Sequence, residues 1–140
     1  MRARIGAFVA ACLMVLLPAV PASAAAAWPC DITYIAYQGG SQFSVSIAIG
    51  NSSTDYHING WTLRFTVPAG QTVLPATAYG VSLVQVGREV TGTNLDYNAE
   101  LGPGNRLRVG FDVTGPDYRV EPAAFTVNGH GCSVDAWVGV

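Results

Sequence analysis

The sequence predicts an all-β fold: a single antiparallel β-sandwich of jelly-roll or immunoglobulin-like type, a flattened barrel closed by one terminal disulfide. Three observations carry that reading. Three segments alternate apolar and polar residues with a period of two. Turn residues separate them at short intervals. Beyond residue 24, no window holds a convincing apolar period of 3.6 residues. Seven or so short strands at such spacing make a sandwich or a barrel.

The chain opens with an export signal. Arg2 and Arg4 form a basic start, Ala7 to Leu17 an apolar run, and Ala22-Ser23-Ala24 the small residues that a signal peptidase needs. The run is too short to span a bilayer comfortably. Residues 1–24 are expected to be removed near Ala24, leaving residues 25–140 as one secreted domain.

Three strong strands come next. Phe43, Val45, Ile47 and Ile49 alternate with Ser44, Ser46 and Ala48. Trp61, Leu63, Phe65 and Val67 alternate with Thr62, Arg64 and Thr66. Leu107, Val109, Phe111 and Val113 alternate with Arg108, Gly110 and Asp112. The apolar phase of each belongs in the core, Trp61 included. Weaker strands are expected at 32–37, 80–86, 89–93 and 124–127. Gly39-Gly40, Asn51-Ser52-Ser53, Pro68-Ala69-Gly70, Gly102-Pro103-Gly104 and Asn128-Gly129 mark the turns.

Cys12 leaves with the signal, so Cys30 and Cys132 are the two cysteines of the exported chain. In an oxidising compartment they are expected to pair, two free thiols being the alternative. The closed loop would hold about 100 residues and add about 4–5 kcal/mol in the chain-entropy model.

Charge narrows the partners. Five arginines and no lysine face nine acids beyond the signal, a net charge of −4 with histidine neutral. No basic patch exists to hold phosphates, so nucleic acid and anionic membrane surfaces are disfavoured. Catalytic and metal constellations are poor. His57 and His130 are distant in sequence, and neither neighbours a nucleophile elbow. Asp96 and Glu100 are close, but so would be any two of nine acids. The reading is therefore not an enzyme, with no catalytic residue, no metal and no cofactor.

The rings point instead to binding. Three tryptophans and six tyrosines in a weakly charged chain supply flat, amphipathic contact area. Tyr79 and Tyr97 adjoin turn-like polar segments, which suggests exposure.

The run Ile58-Asn59-Gly60-Trp61-Thr62-Leu63-Arg64-Phe65 resembles the signature strand of bacterial family 2 carbohydrate-binding modules. Segments 43–53, 68–73, 94–104, 109–111 and 122–129 follow that family's pattern in order, between Cys30 and Cys132. The resemblance implies a β-sandwich with the end cysteines bridged. It also implies a monomer that binds insoluble polysaccharide: cellulose first, chitin or xylan as variants.

One departure matters. Members that grip crystalline cellulose usually present three coplanar tryptophans. The first would fall near Gly39, where Tyr37 is the nearest ring. The second falls close to Thr77, where Tyr79 is the substitute, and the third on Tyr97. The resemblance thus implies Tyr97, Tyr79 and Tyr37 as a stacking platform, with Asn98 and Gln85 as hydrogen-bond partners. One lost ring and two smaller ones cost about 1–3 kcal/mol, or roughly tenfold to hundredfold in affinity. Weak binding is expected. The alternative is a degenerate carbohydrate module whose face meets a protein at a cell envelope. The tail, Asp135 to Val140, offers Trp137 either as an exposed handle or, with Trp28, as a cap on the sandwich.

Overall fold

The computed structural model describes residues 29–140. The export signal and Trp28 lie outside the described residues, so the cap of Trp28 on Trp137 does too. The described chain is all β. The first of its two five-stranded sheets runs in the order β12 (Ser133–Val138), β1 (Cys30–Ala36), β2 (Gln42–Asn51), β9 (Arg106–Thr114), β5 (Thr72–Tyr79). The second runs β11 (His130–Gly131), β10 (Ala123–Val127), β4 (Thr62–Thr66), β7 (Glu89–Thr93), β6 (Ser82–Val86). A short ribbon of β3 (Ile58–Asn59) and β8 (Glu100–Leu101) joins one end.

Alternation places the core. Ile32, Tyr34 and Ala36 of β1, Phe43 to Ile49 on the odd positions of β2, and Val109, Phe111 and Val113 of β9 are buried between the sheets. Leu63 and Phe65 of β4, Val90 of β7 and Phe125 and Val127 of β10 meet them from the other side. Phe65 stacks against both Phe111 and Phe125, with ring centroids 6.1 and 5.2 Å away. Offset ring stacks of this kind add to what area burial supplies. Trp61 is buried, as its strand phase requires.

Cys30 and Cys132 are bridged, their Cα atoms 4.9 Å apart. Cys30 opens β1 of the first sheet, and Cys132 sits between β11 of the second and β12 of the first, so the bond pins the point where the chain crosses from one layer to the other. The Asn128-Gly129 pair makes the predicted hairpin turn, both residues having positive φ (51° and 81°); such values at both central positions mark the type I′ turn that suits twisted strands.

Two strands depart from the reading of the sequence. β5 contains Pro75, a residue that argues against a central strand. The structure resolves this by placing β5 at the sheet edge and breaking its ladder to β9 between Leu74 and Tyr79. The tail forms β12, paired in parallel with β1 over six residues. It is a strand docked on the sheet, not a loose handle.

Candidate functional site

The outer face of the first sheet carries two of the predicted rings, Tyr37 and Tyr79. Residues of β1, β2, β9 and β5 that point away from the core form rows across the strands. In one row Ser46 stands opposite Gly110, and Gly110 opposite Tyr79. A Cβ on Gly110 would meet the Tyr79 ring at 2.2 Å, so the ring lies directly over the glycine. No other residue leaves that space. Tyr79 nevertheless keeps 56% of its surface exposed. One face of the phenol rests on the backbone, and the rest is open.

The break in β5 aims that ring. The Thr77 hydroxyl donates to the Leu74 carbonyl (2.7 Å) and accepts from the Asp112 amide (2.8 Å), fixing the detour around Pro75. A bulge that re-aims a side chain at a sheet edge is a recurrent feature of binding sites.

Tyr97 stands in the turn between β7 and β8 and is 78% exposed. Its turn is pinned from below. The Asn98 side chain accepts from the Leu95 amide (2.8 Å) and donates to the carbonyl of Gly80 (2.7 Å), the residue next to Tyr79. The Trp61 indole donates to the Asn98 carbonyl (2.9 Å), and the Asn94 carboxamide accepts from the Trp61 amide (2.9 Å). Burying Trp61 therefore sets the height of Tyr97, while Asn98 ties the Tyr97 turn to the end of β5.

Tyr37 follows β1, its amide bonded to the Ser44 carbonyl (3.0 Å). It is 39% exposed. Between Tyr37 and Tyr79 lies a depression of about 270 Å3, lined also by Ser44, Ser46, Thr77, Arg108 and Asp112. Asp112 accepts from the Ser44 hydroxyl (2.7 Å) and from the Gln42 side-chain carboxamide (2.9 Å). The structure thus brings Tyr37 and Tyr79 to one hollow and links Tyr97 to Tyr79 through Asn98.

Gln85 lies elsewhere. Its carboxamide oxygen accepts from the Val73 amide (2.8 Å), and its nitrogen donates to the carbonyls of Gln71 (3.1 Å) and Gly87 (2.8 Å). The side chain laces β5 to β6 across the gap between the two sheets. Gly39, where a family tryptophan was expected, has no room for any side chain. A Cβ there would stand 2.4 Å from the Gln42 carbonyl oxygen and 2.7 Å from the Phe43 Cβ.

Other sequence signals resolve into structure. His57 meets Glu100 at 3.4 Å on the exposed β3–β8 ribbon. Asn51 heads a glycosylation sequon but is buried; its carboxamide donates to the carbonyls of Tyr56 (2.6 Å) and Leu101 (3.0 Å). A glycan cannot attach there in the folded chain. Among the described residues, no group of three or more His, Cys, Asp or Glu side chains is placed to hold a metal ion.

Comparison with known proteins decides the family. A family model described as cellulose binding domain matches residues 30–132. The chain belongs to that family. Exoglucanase B of Cellulomonas fimi is 38% identical over 104 residues, covering 74% of this chain and 9% of the enzyme. Endoglucanase B of the same organism is 36% identical over 103 residues, covering 74% of this chain and 10% of the enzyme. The chain therefore spans about a tenth of the curated relatives it matches. Among solved structures, the chitin-binding domain of Chi18aC from Streptomyces coelicolor is 26% identical, with a TM-score of 0.60; the match covers 76% of this chain and 96% of that domain. As a member of that family, the chain is a carbohydrate-binding module of cellulase and chitinase type. The match stops at Cys132, so β12 lies outside the family's segment.

Proposed function

We propose that residues 25–140 form a single, non-catalytic module, exported by the 1–24 signal, that binds insoluble polysaccharide through the outer face of its first sheet. Cellulose is the first expectation, and chitin the second. The observation that carries the reading is the Tyr79 ring seated on Gly110, with the Tyr97 turn tied beside it. Sugar rings carry apolar C–H faces and polar rims. An open phenol face answers the first, and the hollow's hydroxyls, Arg108 and Asp112 answer the second. The relatives' names point the same way, since exoglucanases, endoglucanases and a chitin-binding domain share this module.

In this reading Tyr79, Tyr97 and Tyr37 contact the sugar. Asn98 and Gln85 are positioning residues instead of sugar partners, because their carboxamides already serve main-chain groups. The test is depletion of the purified, oxidised protein by microcrystalline cellulose, chitin and insoluble xylan. Binding to one solid that Tyr79→Ala and Tyr97→Ala each weaken is the expected result. A folded protein left wholly in solution by all three solids overturns the reading and directs the search to a protein partner.

A further inference from the structure

β12 adds a strand, and with it a ring, that the family's segment does not include. Its side chains alternate. Ala136 and Val138 pack against the core, which turns Ser133, Asp135 and Trp137 outward. Trp137 is 61% exposed, the large indole least expected on a solvent-facing edge.

The strand that carries it is firmly held. The ladder to β1 runs from Asp31–Ser133 to Ala36–Val138. Beyond it the Gly139 amide bonds to the Ala36 carbonyl (2.8 Å), and the Gln38 amide to the Val140 carbonyl (3.1 Å). Trp137 is therefore a fixed feature of the sheet.

Register then places it. Trp137 stands opposite Ile35, Ile35 opposite Ser46, Ser46 opposite Gly110, and Gly110 opposite Tyr79. These five residues make one row straight across the sheet, with a ring at each end. Between the rings the floor is low: a half-buried isoleucine, a buried serine and a glycine. Four strand steps separate the ends, about 19 Å at the usual strand spacing. That is room for several sugar rings.

Building on the binding reading above, we infer that Trp137 is a further glycan-stacking residue and that one glycan chain lies across the strands from Tyr79 to Trp137. Three features select this occupant. The row contains no charged side chain, which suits a neutral polymer. It is continuous with the hollow between Tyr37 and Tyr79. A sheet twists by roughly 20–25° per strand, so the end rings are turned well away from one plane. A single chain can follow such a twist. Gly39, where the backbone admits no ring, lies in the loop that follows β1, so β12 brings a ring to the same side of the sheet.

The experiment is a titration of the intact, oxidised protein with cello- and chito-oligosaccharides, from disaccharide to hexasaccharide. Unmodified protein, Tyr79→Ala, Trp137→Ala and Trp137→Phe are compared by calorimetry, after circular dichroism has shown each to be folded. Tyr79→Ala is expected to weaken every length. Trp137→Ala is expected to leave the shortest sugars unchanged and weaken the hexasaccharide about two- to tenfold, with Trp137→Phe recovering part of the loss. Equal affinities of Trp137→Ala and unmodified protein at every length overturn this inference and leave the binding reading intact. Failure of the unmodified protein to bind any of these soluble sugars, while an insoluble polysaccharide still depletes it, overturns the inference alone; failure in both assays overturns both. A concentration-dependent dimer that Trp137→Ala dissociates also overturns it, and assigns the open β12 edge to a second copy.

Discussion

The two sheets share one construction rule and present opposite surfaces. On the outer face of the first, the central row is Ile35, Ser46 and Gly110, with Tyr79 and Trp137 at its ends. On the outer face of the second, the corresponding row is Thr126, Arg64, Thr91 and Val84. Arg64 pairs there with Glu89 at 3.6 Å, and no aromatic side chain stands in that row. Both faces come from the same alternation, so alternation explains the core and says nothing about binding. What differs is side-chain size. Small residues in mid-sheet let edge rings lie over the backbone; β-branched and charged residues in mid-sheet cover it.

The largest effect should come from the bond that joins the two layers. Reducing Cys30–Cys132 should lower stability by about 4–5 kcal/mol, read from urea melts with and without reductant, and both faces should lose their form together. Survival of one sheet's amide protection would show that the layers fold separately.

Next in size is Gly39→Trp, which restores the family's ring in sequence. The Cβ clashes described above mean that it should cost about 1–3 kcal/mol of stability and leave affinity no better. A gain in cellulose binding would show that the loop can rearrange and that the missing ring is a simple loss. Gly110→Val should displace the Tyr79 ring and weaken binding about tenfold, with the fold retained by circular dichroism. The same change at Thr91, on the second sheet, should leave binding alone.

Tyr34 gives a further contrast, because it lies under the ring-bearing face yet points into the core. Burial, helped by the charge of Glu121, pushes its phenol well above the ordinary tyrosine range. The unfolded chain releases that proton near pH 10, before the folded chain does. The associated stability is thus fully present below pH 10 and declines above it, by about 1.4 kcal/mol per pH unit. Tyr34→Phe should flatten that alkaline loss and leave glycan affinity at neutral pH unchanged. The smallest effect should be that of Val84→Thr, an exposed change on the second sheet, expected within about 0.5 kcal/mol and without influence on binding.

Much of this was legible in the sequence, for identifiable reasons. The strands around Phe43, Leu63 and Val109 cross the middle of the sandwich, so each buries one full face and writes a clean period of two. Trp61, the terminal disulfide and the Asn128-Gly129 turn were legible because each has a local signal. β5 was hidden by Pro75, a breaker in most strands that an edge position tolerates. β12 was hidden because an edge strand buries little, and its valines and tryptophan read as a tail. Tyr79, Tyr97 and Tyr37 were visible only as rings near turns. That Tyr79 rests on Gly110, with three strands between them in sequence, is a fact of register that composition does not carry. The roles of Asn98 and Gln85 were hidden for the same reason, since their main-chain partners come from other strands.

The most direct test of the central claim is an amide shift map of the 15N-labelled protein titrated with cellohexaose, repeated with chitohexaose. Shifts are expected at Ser46, Arg108, Gly110 and Tyr79, with the amides of Arg64, Thr91 and Val84 unmoved. Shifts confined to the second sheet, at saturating sugar, would contradict the claim.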